Sequence, residues 1–118
     1  MSCGARPVRD DDHVTTISVH ELKRKTEGNG AFAIIDVREP FEYEIARIDG
    51  AKLIPLAEIG DRTEELQREQ PIVVHCHSGA RSAQAVRLLQ QRGFSNVYNL
   101  EGGIDAWSDQ IDPSVPKY

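Results

Sequence analysis

Short apolar runs alternate with polar, helix-like stretches along this chain. Residues 14–17 form a β-branched run that reads as a first strand. Ser18 followed by Glu21 makes a capping box, which predicts a helix running to about Glu27. The Gly28-Asn29-Gly30 cluster ends it. Residues 31–37 are apolar on both faces except at Asp36, the pattern of a strand buried in a parallel sheet. Pro40 suits the first turn of a short helix over 40–45. Residues 52–54 read as another short strand, and residues 57–60 and 61–69 as charge-rich helical pieces closed by Pro71. Residues 72–75 are the strongest strand. Residues 76–80 form a small, turn-prone loop, and residues 81–92 a helix with Ala85, Leu88 and Leu89 on one side. Gly93 stops it, residues 97–100 make a last strand, and a short helix follows Gly102-Gly103 to about Gln110.

This alternation predicts a three-layer α/β domain with a mainly parallel central sheet flanked by helices. Residues 14–110 make one domain, after a flexible leader or linker at 1–13 and before an irregular tail at 111–118 that holds Pro113 and Pro116. At 13.2 kDa the scaling law predicts burial of about two-thirds of the unfolded surface, enough for a core without staples.

Charge narrows the function classes. Fourteen basic against nineteen acidic residues give a net charge of −5, which argues against non-specific nucleic-acid binding. The longest apolar run is five residues, 31–35, far short of a membrane span. The polar first twelve residues are not expected to form a signal peptide. The two cysteines, Cys3 and Cys76, are too few for a disulfide framework, so a reducing, cytoplasmic compartment is expected.

The chemistry concentrates in His75-Cys76-His77-Ser78-Gly79-Ala80-Arg81-Ser82. A strand ends, a cysteine follows at once, a loop of small residues curls and a helix begins. Loop amides, the helix N-terminus and the full charge of Arg81 are all expected to stabilise a Cys76 thiolate, or an anion carried on its sulfur. Against this stands an inert core cysteine, since free cysteine is among the most buried residue types. A metal site at His75-Cys76-His77 is disfavoured, because on a strand the two histidines face away from the cysteine. No metal or organic cofactor is implied.

Four stretches together resemble the rhodanese family of sulfurtransferases. They are Ile35-Asp36-Val37-Arg38-Glu39-Pro40 with Glu42 and Tyr43; Ile48-Asp49-Gly50-Ala51 with Ile54-Pro55-Leu56; the loop Cys76 to Ser82; and Leu100-Glu101-Gly102-Gly103-Ile104 with Ala106 and Trp107. The resemblance implies a single rhodanese-like domain in which Cys76 takes sulfane sulfur as a persulfide and passes it to a nucleophilic acceptor. It implies that the loop residues His77, Ser78, Gly79, Ala80, Arg81 and Ser82 cradle that sulfur. Thiosulfate and a desulfurase persulfide are the expected donors.

Related cysteine phosphatases place five residues between cysteine and arginine; four lie between Cys76 and Arg81 here, a tighter loop suited to one sulfur atom. A non-catalytic binding module on the same fold is the other alternative, and retention of Cys76 argues against it. Two departures stand out. Ala46-Arg47-Ile48 replaces the usual Gly-His-Ile, with Arg47 expected on the surface. His77 replaces a basic loop residue; with an ordinary pKa near 6.5 it is expected to hold thiosulfate less well above neutral pH.

Other residues carry weaker expectations. Asp36 and Arg38 read as a structural pair, Trp107 as packing of the last helix, and Glu42 as exposed or loop-facing. His13 and His20 read as surface residues, and Cys3 as an exposed bystander rather than a resolving thiol. The tail, Asp112 to Tyr118, resembles the end of fused adenylyltransferase/sulfurtransferase proteins. That implies a ubiquitin-like sulfur carrier or an adenylyltransferase as partner.

Overall fold

The computed structural model describes residues 14–118. The leader, Cys3 and His13 lie outside the described residues. Five strands form one sheet: β1 (Thr16–Ile17), β2 (Ala33–Asp36), β3 (Lys52–Leu53), β4 (Ile72–His75) and β5 (Val97–Leu100). Their order is β1-β5-β4-β2-β3, and every pairing is parallel. Among the described residues the α-helices are α1 (Val19–Glu27), α2 (Pro40–Ile45), α3 (Leu56–Ile59), α4 (Ala80–Gln91) and α5 (Gly103–Gln110).

Local rules account for most boundaries. Ser18 accepts from the Glu21 N–H and Glu21 from the Ser18 N–H, closing the capping box that starts α1. Pro40 occupies the first turn of α2. The expected helix over 61–69 is a correction: only Thr63–Glu65 forms a single 3₁₀ turn. Leu66 is the one apolar side chain in that stretch, so it has no stripe to bury as a helix. Leu66 instead enters the core from extended backbone. The strand expected over 14–17 keeps only Thr16 and Ile17 in the sheet.

Strand alternation divides the core into two layers. Ile35, Ile72, Val74 and Val97 face α3 and α4, packing with Ile59, Ala85, Val86 and Leu89. Ile34, Val73 and Leu100 face α1 and α5, packing with Leu22, Ile104 and Trp107. Trp107 thus packs the last helix on the sheet. Cys76 continues the parity of Ile72 and Val74 and belongs to the α4 layer.

The carboxyl end of β4 is central in the sheet, between β2 and β5. Here α5 comes close. The Ile104 N–H donates to the Cys76 carbonyl at 3.0 Å, and the Asp105 N–H to the His77 carbonyl at 3.1 Å. Gly103 makes this approach feasible: its φ is +60°, and a Cβ there would stand 2.5 Å from the His77 oxygen. The Cys76 oxygen stands 2.6 Å away as well, and these obstacles are backbone, which cannot swing aside. Gly103→Ala is therefore expected to destabilise the fold by about 2–4 kcal/mol, lowering Tm by roughly 10 °C. A thermal melt matching the wild type would show that the α5 approach is not required.

Candidate active site

Cys76 leaves β4 and is almost wholly buried, at 1% exposure. Its Sγ accepts from the Gly79 N–H at 3.0 Å and lies 3.4 Å from Ser82 Oγ. Gly79 has φ +126°, a conformation that side chains resist, and this bend turns the chain from loop into α4. The amides of Ala80, Arg81 and Ser82 open the first turn of α4, where N–H groups lack intrahelical acceptors. The sulfur thus sits in a curl whose donors are backbone groups at a helix start.

Ser82 is buried behind the loop. Its hydroxyl lies 2.5 Å from Asn99 Oδ1, 3.2 Å from the Gly79 carbonyl and 3.4 Å from Sγ. It has one proton, which can serve Asn99 or a sulfur anion but not both. Asn99 Nδ2 donates to the Gly79 carbonyl at 3.3 Å, so β5 braces the loop from behind. Asn99 was missed from the sequence. It shares its strand face with Val97, and a buried amide in an apolar strand position was the available signal.

The Arg81 guanidinium lies within electrostatic reach of Cys76 and is already paired. It forms a fork with Glu42, Nη1 to Oε1 at 2.7 Å and Nη2 to Oε2 at 3.0 Å. Glu42 faces the loop and is buried, so the exposed alternative for it is wrong. The Arg81 hydrogen bonds hold its carboxyl down at about 2, helped by the Glu39 N–H and the Tyr118 hydroxyl and opposed by burial. A neighbouring buried pair joins Arg38 to Asp36, with Nε to Oδ1 at 2.9 Å and Nη2 to Oδ2 at 2.7 Å. This pair is structural: both side chains are fully buried, and Arg38 also binds the Ala46 carbonyl.

The three residues of the suspected metal cluster go to three places. His75 is fully buried; its Nδ1 lies 3.2 Å from the Cys76 carbonyl, and its Nε2 3.7 Å from Asp36 Oδ2. Burial pushes its pKa below the ordinary range, against the pull of Asp36. His77 is half-buried on the rim, 3.8 Å from Asp105 Oδ1, and its ring stacks on Tyr118 at 4.3 Å. Among the described residues no three metal-ligating side chains converge. Ser78 and Ala80 are exposed at the loop surface. Arg47 is exposed and lies over the Tyr43 ring, and His20 is exposed. No helix among the described residues is long and apolar enough to cross a membrane.

The model of the rhodanese-like domain family matches residues 18–110. The chain belongs to the rhodanese family. It is 39% identical over 106 residues to the probable adenylyltransferase/sulfurtransferase MoeZ of Mycobacterium tuberculosis. That alignment covers 88% of this chain and 27% of the relative, so the chain spans about a quarter of that protein. It is 35% identical to a sulfurtransferase of Allochromatium vinosum, covering 86% of this chain and 95% of that one. Among solved structures, a rhodanese-like domain protein from Staphylococcus aureus superposes with a TM-score of 0.77 at 34% identity, covering 83% of this chain and 95% of that one. The rhodanese fold thus matches the α/β domain with its parallel sheet.

Glu42 gives a pH signature. Its folded pKa lies below its ordinary value of 4.5, so the stability it contributes is present above that value and is lost as pH falls toward 2. The shift corresponds to about 3 kcal/mol at neutral pH. Urea unfolding at pH 7 is expected to show Glu42→Gln less stable than wild type by about that amount, the gap closing as pH falls below 4. A gap that stays constant from pH 7 to pH 2.5 would refute the assignment.

Proposed function

We propose that the protein is a sulfurtransferase that carries sulfane sulfur as a persulfide on Cys76. The observation that carries this reading is the seat of Sγ, 3.0 Å from the Gly79 N–H at the start of α4. A thiolate there attacks the outer sulfur of a donor. With thiosulfate, the S–S bond breaks, sulfite leaves with the electron pair, and Sγ–S⁻ remains. With a protein persulfide, the donor thiolate leaves instead. An acceptor nucleophile then attacks the outer sulfur, the Sγ–S bond breaks, and Cys76 returns as thiolate. Atoms and electrons balance in both halves without a cofactor.

Placement supports the following loop roles. Gly79 and the amides of Ala80, Arg81 and Ser82 receive the charge on the outer sulfur, as preorganised donors do for an oxyanion. Ser82 turns its proton from Asn99 to the sulfur when that charge forms. Ser78 and His77 form the rim that the incoming molecule meets. Arg81, held by Glu42, keeps the first turn of α4 in place rather than pairing with the substrate.

The likeness to MoeZ, whose name joins an adenylyltransferase to a sulfurtransferase, supports an acceptor in sulfur-carrier chemistry. A ubiquitin-like carrier protein is the proposed acceptor, served together with an adenylyltransferase. A desulfurase persulfide and thiosulfate are the proposed donors. The proposed working unit is the domain of residues 14–110, with the tail at 111–118 packed against it.

Intact-protein mass spectrometry after incubation with thiosulfate tests the reading. The wild type is expected to gain the mass of one sulfur atom, to lose it to cyanide or a thiol, and Cys76→Ser to gain none. If thiosulfate fails, a desulfurase charged with persulfide replaces it as donor. Failure of both donors would overturn the sulfurtransferase reading in favour of a binding module.

A further inference from the structure

The segment 111–118 does not trail away from α5. The Ile111 and Asp112 N–H groups both donate to the Trp107 carbonyl at 2.9 Å, turning the chain back. Val115 is buried, and its carbonyl accepts from Ser108 Oγ at 2.7 Å. Lys117 Nζ lies 3.0 Å from Asp105 Oδ1 and 2.9 Å from Asp109 Oδ1. Together these ties return Tyr118 to the mouth of the Cys76 loop.

Tyr118 meets the site in two ways. Its ring stacks on His77, the residue after Cys76, with centroids 4.3 Å apart and planes 12° from parallel. Its hydroxyl accepts from Arg38 Nη1 at 2.7 Å and donates to Glu42 Oε2 at 2.8 Å. It therefore joins the two ion pairs beside the loop through one phenol. Burial, the largest influence, pushes the phenol above its ordinary pKa, so the proton given to Glu42 is present at neutral pH.

The end of the segment is open to solvent. Tyr118 is 39% exposed, and both Lys117 ion pairs are open to solvent. Such pairs are weakly held and screened by salt. On one flank the tail leaves a cleft of about 450 Å³ against residues 43–50. Beyond the buried Val115, residues 116–118 can lift while Val115 stays in its core layer.

We propose that Tyr118 is a specificity-determining residue of the Cys76 site, a tail-borne cover that admits small sulfur compounds while seated and must lift for a bulky donor or acceptor. The inference rests on Cys76 being the reactive group, the reading given above. It follows from the 1% exposure of Cys76 and from the Tyr118 ring lying on the adjacent His77. A thiosulfate-sized molecule would pass the edge of a ring that is itself 39% exposed. A protein persulfide or a carrier tail needs the space the ring fills. When Tyr118 lifts, Glu42 loses one hydrogen bond but keeps both to Arg81, so the loop survives opening.

The test is alkylation of Cys76 by a small and a bulky reagent, iodoacetamide and fluorescein maleimide, in a Cys3→Ser background. The readout is the ratio of the two rates, which cancels any change in thiol reactivity. A gated rate scales with the open fraction. Tyr118→Ala is expected to raise the maleimide rate about tenfold while the iodoacetamide rate changes less than about threefold. Tyr118→Phe keeps the ring but loses the ties to Arg38 and Glu42, and is expected to fall between. Equal acceleration with both reagents would mean that Tyr118 only stabilises the fold, and no change would mean that it does not cover the thiol; either overturns the proposal. Because alkylation needs no sulfur transfer, failure of this inference is separate from failure of the persulfide reading, which the sulfur-loading experiment decides.

Discussion

The bidentate pair between Glu42 and Arg81 is the constraint on which the site depends. It joins positions 39 residues apart, one in α2 and one in the first turn of α4. The Glu42 side chain is 7% exposed, so its charge would be costly without a partner. Removing Arg81 would strand that carboxylate away from water, which is strongly destabilising. That penalty holds α2 against the loop, and with it the backbone curl around Cys76. The same carboxylate accepts from Glu39 N–H and from Tyr118, so the start of α2, the loop and the tail share one acceptor.

The sequence made the scaffold more legible than the site's second layer. Local signals were enough for α1, where Ser18 and Glu21 cap each other, and for α2, where Pro40 starts the turn. The uninterrupted apolar residues of β2 and β4 announced strands buried on both faces. The loop from Cys76 to Ser82 was visible because its residues are consecutive. What stayed hidden depends on partners distant in the chain. Glu42 lies on a short helix whose orientation no local pattern states, and its pairing with Arg81 changes what Arg81 does. Asn99 is 20 residues from Gly79 and acts only because β5 lies beside β4. Tyr118 is 80 residues from Arg38. The charged stretch 61–69 misled in the opposite direction: good helix formers are not sufficient where no apolar face exists to be buried.

The pairing of Arg81 also bears on what the loop can hold. In a loop built for phosphate, a free guanidinium would be the natural partner for a doubly charged group. Here the guanidinium is spent on Glu42, Arg38 on Asp36, and Lys117 on Asp105 and Asp109. Each of these three cations is thus paired before any ligand arrives. What is left for an anion is a short arc of N–H dipoles and one hydroxyl, compact enough for a single negative atom. On the proposed reading this is an advantage. A persulfide carries its one charge on the outer sulfur, and dipoles can stabilise that charge without forming an ion pair that must be broken at transfer. An unpaired cation would hold the sulfur in the site; cations already paired with carboxylates let an acceptor take it.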